Sequence, residues 1–316
     1  MTADSVVADT AADQHLVNAF NKVLLSGALP GEVAGFSQED RDEAAVFVAT
    51  CAKRRPAGIA LVRLESVGGA VGQRRMRLCI VNDDMPFLVD SVANTIAARG
   101  LIIHRLLHPV VCVERDEKGC LTMVEPLCAD RHRRESVMYV ELDRVDARGR
   151  RELVSELHHI LADVRAAVCD WTALQAAMRD DAARLDAEGA ALLNWFADGN
   201  MTLLGHQVER VGEAPSDMLG ILKIPGPALW KDSMVETAVA FFEKGGEAPL
   251  IVKADRTSTV HRHVPLDLVV LPIREKNKVV ALSVHVGLWT SAALRAAPEE
   301  VPVVRERLAM LEKDFG

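Results

Sequence analysis

The stretch Asn82-Asp83-Asp84-Met85-Pro86-Phe87-Leu88-Val89-Asp90-Ser91-Val92 decides how this chain folds. Before it, Met76–Val81 is an apolar run that reads as a buried strand. After it, Phe87, Leu88, Val92 and Ile96 recur at helical spacing until Gly100 stops the pattern. A strand therefore hands over to a helix expected to begin at Pro86, where proline's missing N–H costs nothing. Two readings fit the acids at this junction. Asp83 and Asp84 can cap and solvate the helix start. Alternatively, an amino acid can set its carboxylate on the unpaired helix N–H groups and its ammonium beside Asp83 or Asp84, with Met85, Phe87 and Asp90 around it. A nucleotide phosphate would be repelled by the same two carboxylates.

Working outward, Ile59–Val67 alternates as a strand and is followed by the turn-like Gly68-Gly69-Ala70-Val71-Gly72. Leu101–Arg115 reads as one long strand, Asp116-Glu117-Lys118-Gly119 as a hairpin turn, and Cys120–Leu127 as its partner. Glu135–Asp143 is a further strand, and an amphipathic helix runs from Gly149 towards Met178. This order is that of a split β-α-β, ferredoxin-like sandwich over residues 57–178. No closing strand follows the second helix, so Ile59–Val67 is expected at that sheet edge. Helices should cover one face and leave the other for a partner. Upstream, residues 1–56 hold an acidic leader, a helix over Gln14–Ser26, and a second helix opened by the capping box Ser37-Gln38-Glu39-Asp40 and ending near Lys53.

A helical linker spans 179–198, and a second domain spans 199–297. Its expected strands are Met201–Arg210, Ile221–Ile224, Leu250–Ala254, Leu266–Arg274 and Val279–Val286. A loop covers Gly212–Asp217, and a short helix begins near Ser233. Two strands, short helices and a three-strand meander give the order of a PAS-like antiparallel α+β domain. Residues 298–316 open a helix without a C-cap, so the chain is expected to continue further. The fold class is α+β throughout.

The chain has 316 residues, and its net charge of −8 argues against nucleic acid as the main partner, because that needs a basic face. No apolar run reaches membrane-spanning length. Six cysteines, none in a C-x-x-C pair, read as free thiols in a cytoplasmic protein. His104 and His108 lie roughly 13 Å apart at strand rise, and His158 and His159 diverge on a helix. His261 and His263 share a strand face without a third ligand, so no metal site is expected. The glycine-rich turn at 68–72 precedes a strand, not a helix, and fails as a phosphate cradle. No catalytic constellation is complete. The polar segment 253–262 carries Arg256, Ser258, His261 and Arg262, which can bind an anion or dock another domain; a solvated loop fits equally well.

The junction, together with His108-Pro109-Val110, Arg115-Asp116, Glu135-Ser136 and Glu141-Leu142-Asp143, resembles the N-terminal region of the large bacterial NAD-specific glutamate dehydrogenases. So do Asp198-Gly199-Asn200-Met201-Thr202-Leu203-Leu204-Gly205, Ser258-Thr259-Val260-His261-Arg262, Leu266-Asp267 and Gly287-Leu288-Trp289-Thr290-Ser291. Leu268 and Trp289 depart from the tyrosine and phenylalanine usual there. The resemblance implies ACT-like and PAS-like modules ahead of a catalytic domain that would bind NAD. In this chain itself it implies no cofactor. It further implies an amino-acid effector, a homo-oligomer and the protein's own downstream catalytic domain as partners. A module that only mediates protein contacts is the alternative.

Overall fold

A computed structural model describes residues 14–67, 75–126 and 133–315. The leader at 1–13, the glycine-rich turn at 68–72 and Cys128 lie outside the described residues. The chain divides into two compact units, Met1–Ala162 and Asp163–Gly316. Both are α+β and each is built on an antiparallel sheet.

The first unit opens with α1 (14–23), α2 (Pro30–Val33) and α3 (Gln38–Ala52). Ser37 caps α3, its hydroxyl accepting from the Asp40 N–H while the Asp40 carboxylate accepts from the Ser37 N–H, which is the expected capping box. The strands are β1 (Leu61–Ser66), β2 (Arg75–Asp83), β3 (Ile103–Leu107), β4 (Val110–Arg115), β5 (Leu121–Glu125) and β6 (Arg133–Asp143). Helix α4 (Leu88–Ala98) follows β2, and α5 (Ala147–Cys169) follows β6. The sheet order is β1-β2-β6-β4-β5, with β3 also paired to β6, so β1 takes the edge expected for it. The expected long strand is broken into β3 and β4 at His108-Pro109, because Pro109 has no N–H to give to the ladder. Both pieces still pair antiparallel with β6.

The sheet does not leave a face free. Cys79, Val81, Val137 and Tyr139 are buried in one cluster with Phe20 and Val23 of α1 and Phe47 and Val48 of α3. Leu78, Ile80, Met138 and Val140 alternate to the other side and are equally buried, as are Val92 and Ile96 of α4 and Leu153 and Leu157 of α5. The near-continuous apolar runs of β2 and β6 require cover on both faces, and α1 and α3 supply it on the face of Cys79, Val81, Val137 and Tyr139.

In the second unit the expected long helix is interrupted at Asp170, giving α6 (Trp171–Ala182) after α5. Helix α7 (Ala187–Trp195) follows, with strands β7 (Met201–Glu209) and β8 (Ser216–Gly220) after it. Next come α8 (Asp232–Glu243), β9 (Leu250–Thr257), β10 (Pro265–Glu275), β11 (Lys278–Trp289) and α9 (Val304–Phe315). The strand expected at 221–224 is instead a short 3-10 turn, and the supposed loop at 212–217 contains the start of β8. Gly220, at φ +61, lets the chain pass tightly against Leu204, whose carbonyl oxygen would lie 2.0 Å from any Cβ added there. Lys276 and Asn277, both at positive φ, turn β10 into β11. The sheet order is β8-β7-β11-β10-β9. Leu174, Met178 and Ala182 of α6 and Leu192 and Leu193 of α7 form one core with Leu203, Val269 and Leu271 of the sheet.

Candidate functional site

At the junction, the helix starts two residues later than expected. Phe87 is its N-cap in a left-handed conformation, φ 70°, and no side chain caps α4. Asp84 thus does not cap it. The Asp84 carboxylate pairs with Arg134 at 2.8 Å. Asp83 closes β2 directly opposite Glu135 of β6, which places two carboxylates side by side. The fully buried Arg55 lies between them. Its Nη2 donates to Asp83 Oδ1 and, at 2.8 Å, to Glu135 Oε1; its Nη1 donates to the Ile59 carbonyl at 3.0 Å. Arg115 clamps the same Glu135 with two bonds of 2.7 Å, from Nε to Oε1 and from Nη2 to Oε2. Both acids of the junction are therefore already met by guanidinium groups. Met85 and Phe87 are half-buried and Asp90 is exposed.

In the second unit, Arg256 lies on β9 and is 6% exposed. It forms a 3.9 Å ion pair with Asp163 Oδ2, and its Nη2 has no hydrogen-bond partner among the described residues. The guanidinium packs against Gly226, where a Cβ would lie 3.2 Å from Nη2. Arg256 lines a cleft of about 680 Å³ that also presents Gln207, Glu209, Trp230, Asp232 and Glu236. Glu209 is held in place by the Trp230 indole N–H at 3.0 Å and by the Gln207 amide. Strand alternation explains the cleft: Gln207 and Glu209 point into it while His206 points to the opposite face.

The other residues singled out in the polar segment hold the loop together. The Ser258 hydroxyl donates to the Val260 carbonyl at 2.8 Å and accepts from the Val260 N–H. Arg262 donates from Nη2 to the Trp289 carbonyl, and His261 takes a left-handed conformation at φ 65°. Of these residues, Arg256 is the one that lines the cleft.

Residues 20–157 match the family described as the glutamate dehydrogenase ACT1 domain. The NAD-specific glutamate dehydrogenase of Pseudomonas aeruginosa is 29% identical over 268 residues, 75% of this chain and 16% of that protein. That of Mycobacterium tuberculosis is 29% identical over 273 residues, 75% of this chain and 15% of its own length. That of Halomonas elongata is 24% identical over 261 residues, with shares of 73% and 16%. The chain is thus similar to NAD-specific glutamate dehydrogenases over about three quarters of its length. It spans about one sixth of the length of the curated relatives it matches, 15–16% of each.

The chain also carries a buried polar cluster that the sequence did not disclose. Asp181 of α6 and His206, Ser283 and His285 of the sheet meet in the core of the second unit. His285 Nε2 lies 2.8 Å from Asp181 Oδ2, His206 Nε2 lies 3.0 Å from Ser283 Oγ, and the Ser283 hydroxyl donates to Asp181 Oδ2. Burial, reinforced by His285, pushes His206 down to about 4. Burial works to raise Asp181, yet hydrogen bonds from His285 and Ser283 hold it below the usual carboxylate value. The signal was faint: Ser283 and His285 alternate on one strand face, but their opposite neighbour depends on the register of β7. None of the histidine pairs considered from sequence spacing contributes.

The cysteines split. Cys51, Cys79, Cys120 and Cys169 are free thiols, whereas Cys112 is disulfide-bonded, contrary to the expectation of free thiols throughout. Among the described residues no helix is long and apolar enough to cross a membrane.

Proposed function

We propose that this chain is a regulatory segment of a longer NAD-specific glutamate dehydrogenase, and that it senses a free amino acid. The full polypeptide would oxidise L-glutamate to 2-oxoglutarate and ammonium with NAD as acceptor. NAD would bind in a catalytic domain elsewhere in that polypeptide, and the segment would act within a cytoplasmic homo-oligomer. The first unit is the ACT-like module. The second reads as PAS-like, supported by two strands, a helical insertion and a three-strand meander that returns to pair with the first strand.

The observation that carries the sensing role is Arg256, buried at the cleft with an Nη2 that has no hydrogen-bond partner among the described residues. A buried guanidinium N–H without an acceptor is costly and calls for one. The carboxylate of an amino acid supplies it in charge-assisted form, and Glu209, Asp232 and Glu236 give the ammonium an acidic wall. Effector binding would act by population shift, favouring whichever oligomer arrangement holds the closed cleft.

Calorimetric titration of the chain with L-glutamate and a panel of other amino acids tests this. Saturable binding that is lost in Arg256→Met is expected. Absence of heat with every amino acid would remove the sensing role. A module that only mediates protein contacts is favoured by the junction, where Asp83 and Asp84 are already committed to Arg55 and Arg134. It predicts self-association in light scattering that is indifferent to amino acids.

A further inference from the structure

We propose that Asp181, His206 and His285 form a binding site for one divalent transition-metal ion, with Zn²⁺ the best-suited species. The placement follows from the sheet. His206 of β7 and His285 of β11 are direct cross-strand partners, and their rings lie 4.7 Å apart. Ser283 sits two residues before His285 on the same face, where α6 brings Asp181 over both. Each of the three residues offers one ligand atom, all within 4.8 Å of one another, and all three residues are buried. Two imidazole nitrogens and one carboxylate oxygen are a three-ligand set that zinc accepts, with a fourth position left for water or the Ser283 hydroxyl.

The hydrogen bonds around the three residues aim their ligand atoms at one another. The cluster makes four polar contacts: His206 Nδ1 with the Asp217 carbonyl at 3.3 Å, His206 Nε2 with Ser283, Ser283 with Asp181, and His285 with Asp181. With Nδ1 set against the Asp217 carbonyl at 3.3 Å, His206 presents Nε2 to an ion, an orientation of the kind outer hydrogen bonds give to ligating histidines. His285 presents Nε2, the atom that faces Asp181 Oδ2 at 2.8 Å. Arg184, 61% exposed, holds Asp181 through Oδ1 at 3.0 Å and leaves Oδ2 facing the histidines. Asp181 also lines a depression of about 510 Å³ with Arg184, Gly246 and Arg274, which gives an ion a route from solvent. The proposal is independent of the amino-acid cleft, which lies on the other face of the sheet.

The test is to titrate metal-free, untagged full chain with Zn²⁺ by equilibrium dialysis and with Co²⁺ by visible absorption. One ion per chain is expected, with a Co²⁺ ligand-field band and a rise in Tm on adding Zn²⁺. Either H206Q or H285Q should weaken Zn²⁺ binding by at least about tenfold, while H263Q, at an exposed position outside the cluster, should not. No stoichiometric binding, or binding undiminished in both cluster variants, overturns the site. Should the variants fail to fold, the wild-type Co²⁺ band decides alone, and its absence refutes the proposal.

Discussion

At the scale of single residues, the ion network around Glu135 shows how burial turns a common surface interaction into a structural requirement. Arg55 and Glu135 have side chains 0% and 1% exposed, so neither charge can fall back on water. Glu135→Ala would take from Arg115 its only carboxylate among the described residues and leave Arg55 with the Asp83 carboxylate alone, and is expected to cost about 3–5 kcal/mol, read as a lower urea midpoint; a change under ~1 kcal/mol would mean the network relaxes freely. His108 offers a pH test. Burial lowers its value below the usual 6.5, with the Asp84 charge opposing, while its Nε2 sits 2.7 Å from the Ser136 hydroxyl. Between the folded value and 6.5 the unfolded chain binds more protons at this position, so stability falls as pH drops through that window and is unaffected above it. H108Q should therefore lose less stability than wild type between pH ~7.5 and ~5.5. Parallel losses in the two proteins would assign the acid sensitivity to other groups.

At the scale of elements, the hairpin from β4 to β5 was legible because its turn chemistry is local. Asp116 Oδ1 accepts from the Lys118 and Cys120 N–H groups at 2.9 and 2.8 Å, and Gly119 takes φ +78°. What sequence could not reveal is that this turn also receives the end of α3. The Arg55 N–H donates to the Gly119 carbonyl, and a Cβ on Gly119 would lie 2.4 Å from the Arg55 carbonyl oxygen. Gly119→Ala is expected to cost at least about 1–3 kcal/mol from backbone conformation alone, with the clash added. A hydrogen-exchange measurement should find the loss concentrated in segment 53–55 and the hairpin, and protection left intact there would contradict the docking. The break at Asp170 has a similar tertiary cause. Its carboxylate accepts from the Gly220 N–H at 2.7 Å and pairs with Lys223 at 2.6 Å, contacts that helical periodicity does not register.

At the scale of the whole molecule, each unit has its own core, and the chain carries built-in reporters for them. Its one tyrosine, Tyr139, lies in the first unit, and its four tryptophans (Trp171, Trp195, Trp230 and Trp289) all lie in the second. Phe47 packs edge-on against Tyr139 with centroids 6.4 Å apart. Phe47→Ala should destabilise the first unit by about 3–5 kcal/mol and displace the Tyr139 near-ultraviolet transition more than the tryptophan emission transition. Equal displacement of both would mean that the chain unfolds as one cooperative body.

Sequence by itself determined the local grammar. Capping at Ser37, the strand-to-helix order after Met76, the Asp116–Gly119 turn and the meander of the second unit all depend on neighbours a few residues apart, where steric and hydrogen-bonding preferences act directly. The tertiary structure alone decided which charges meet. Arg55 reaches Glu135 across 80 positions, and His285 reaches Asp181 across 104. Such pairings depend on strand register and on which helix covers which face. These are set by the burial of whole apolar surfaces, and no short window of sequence contains that information.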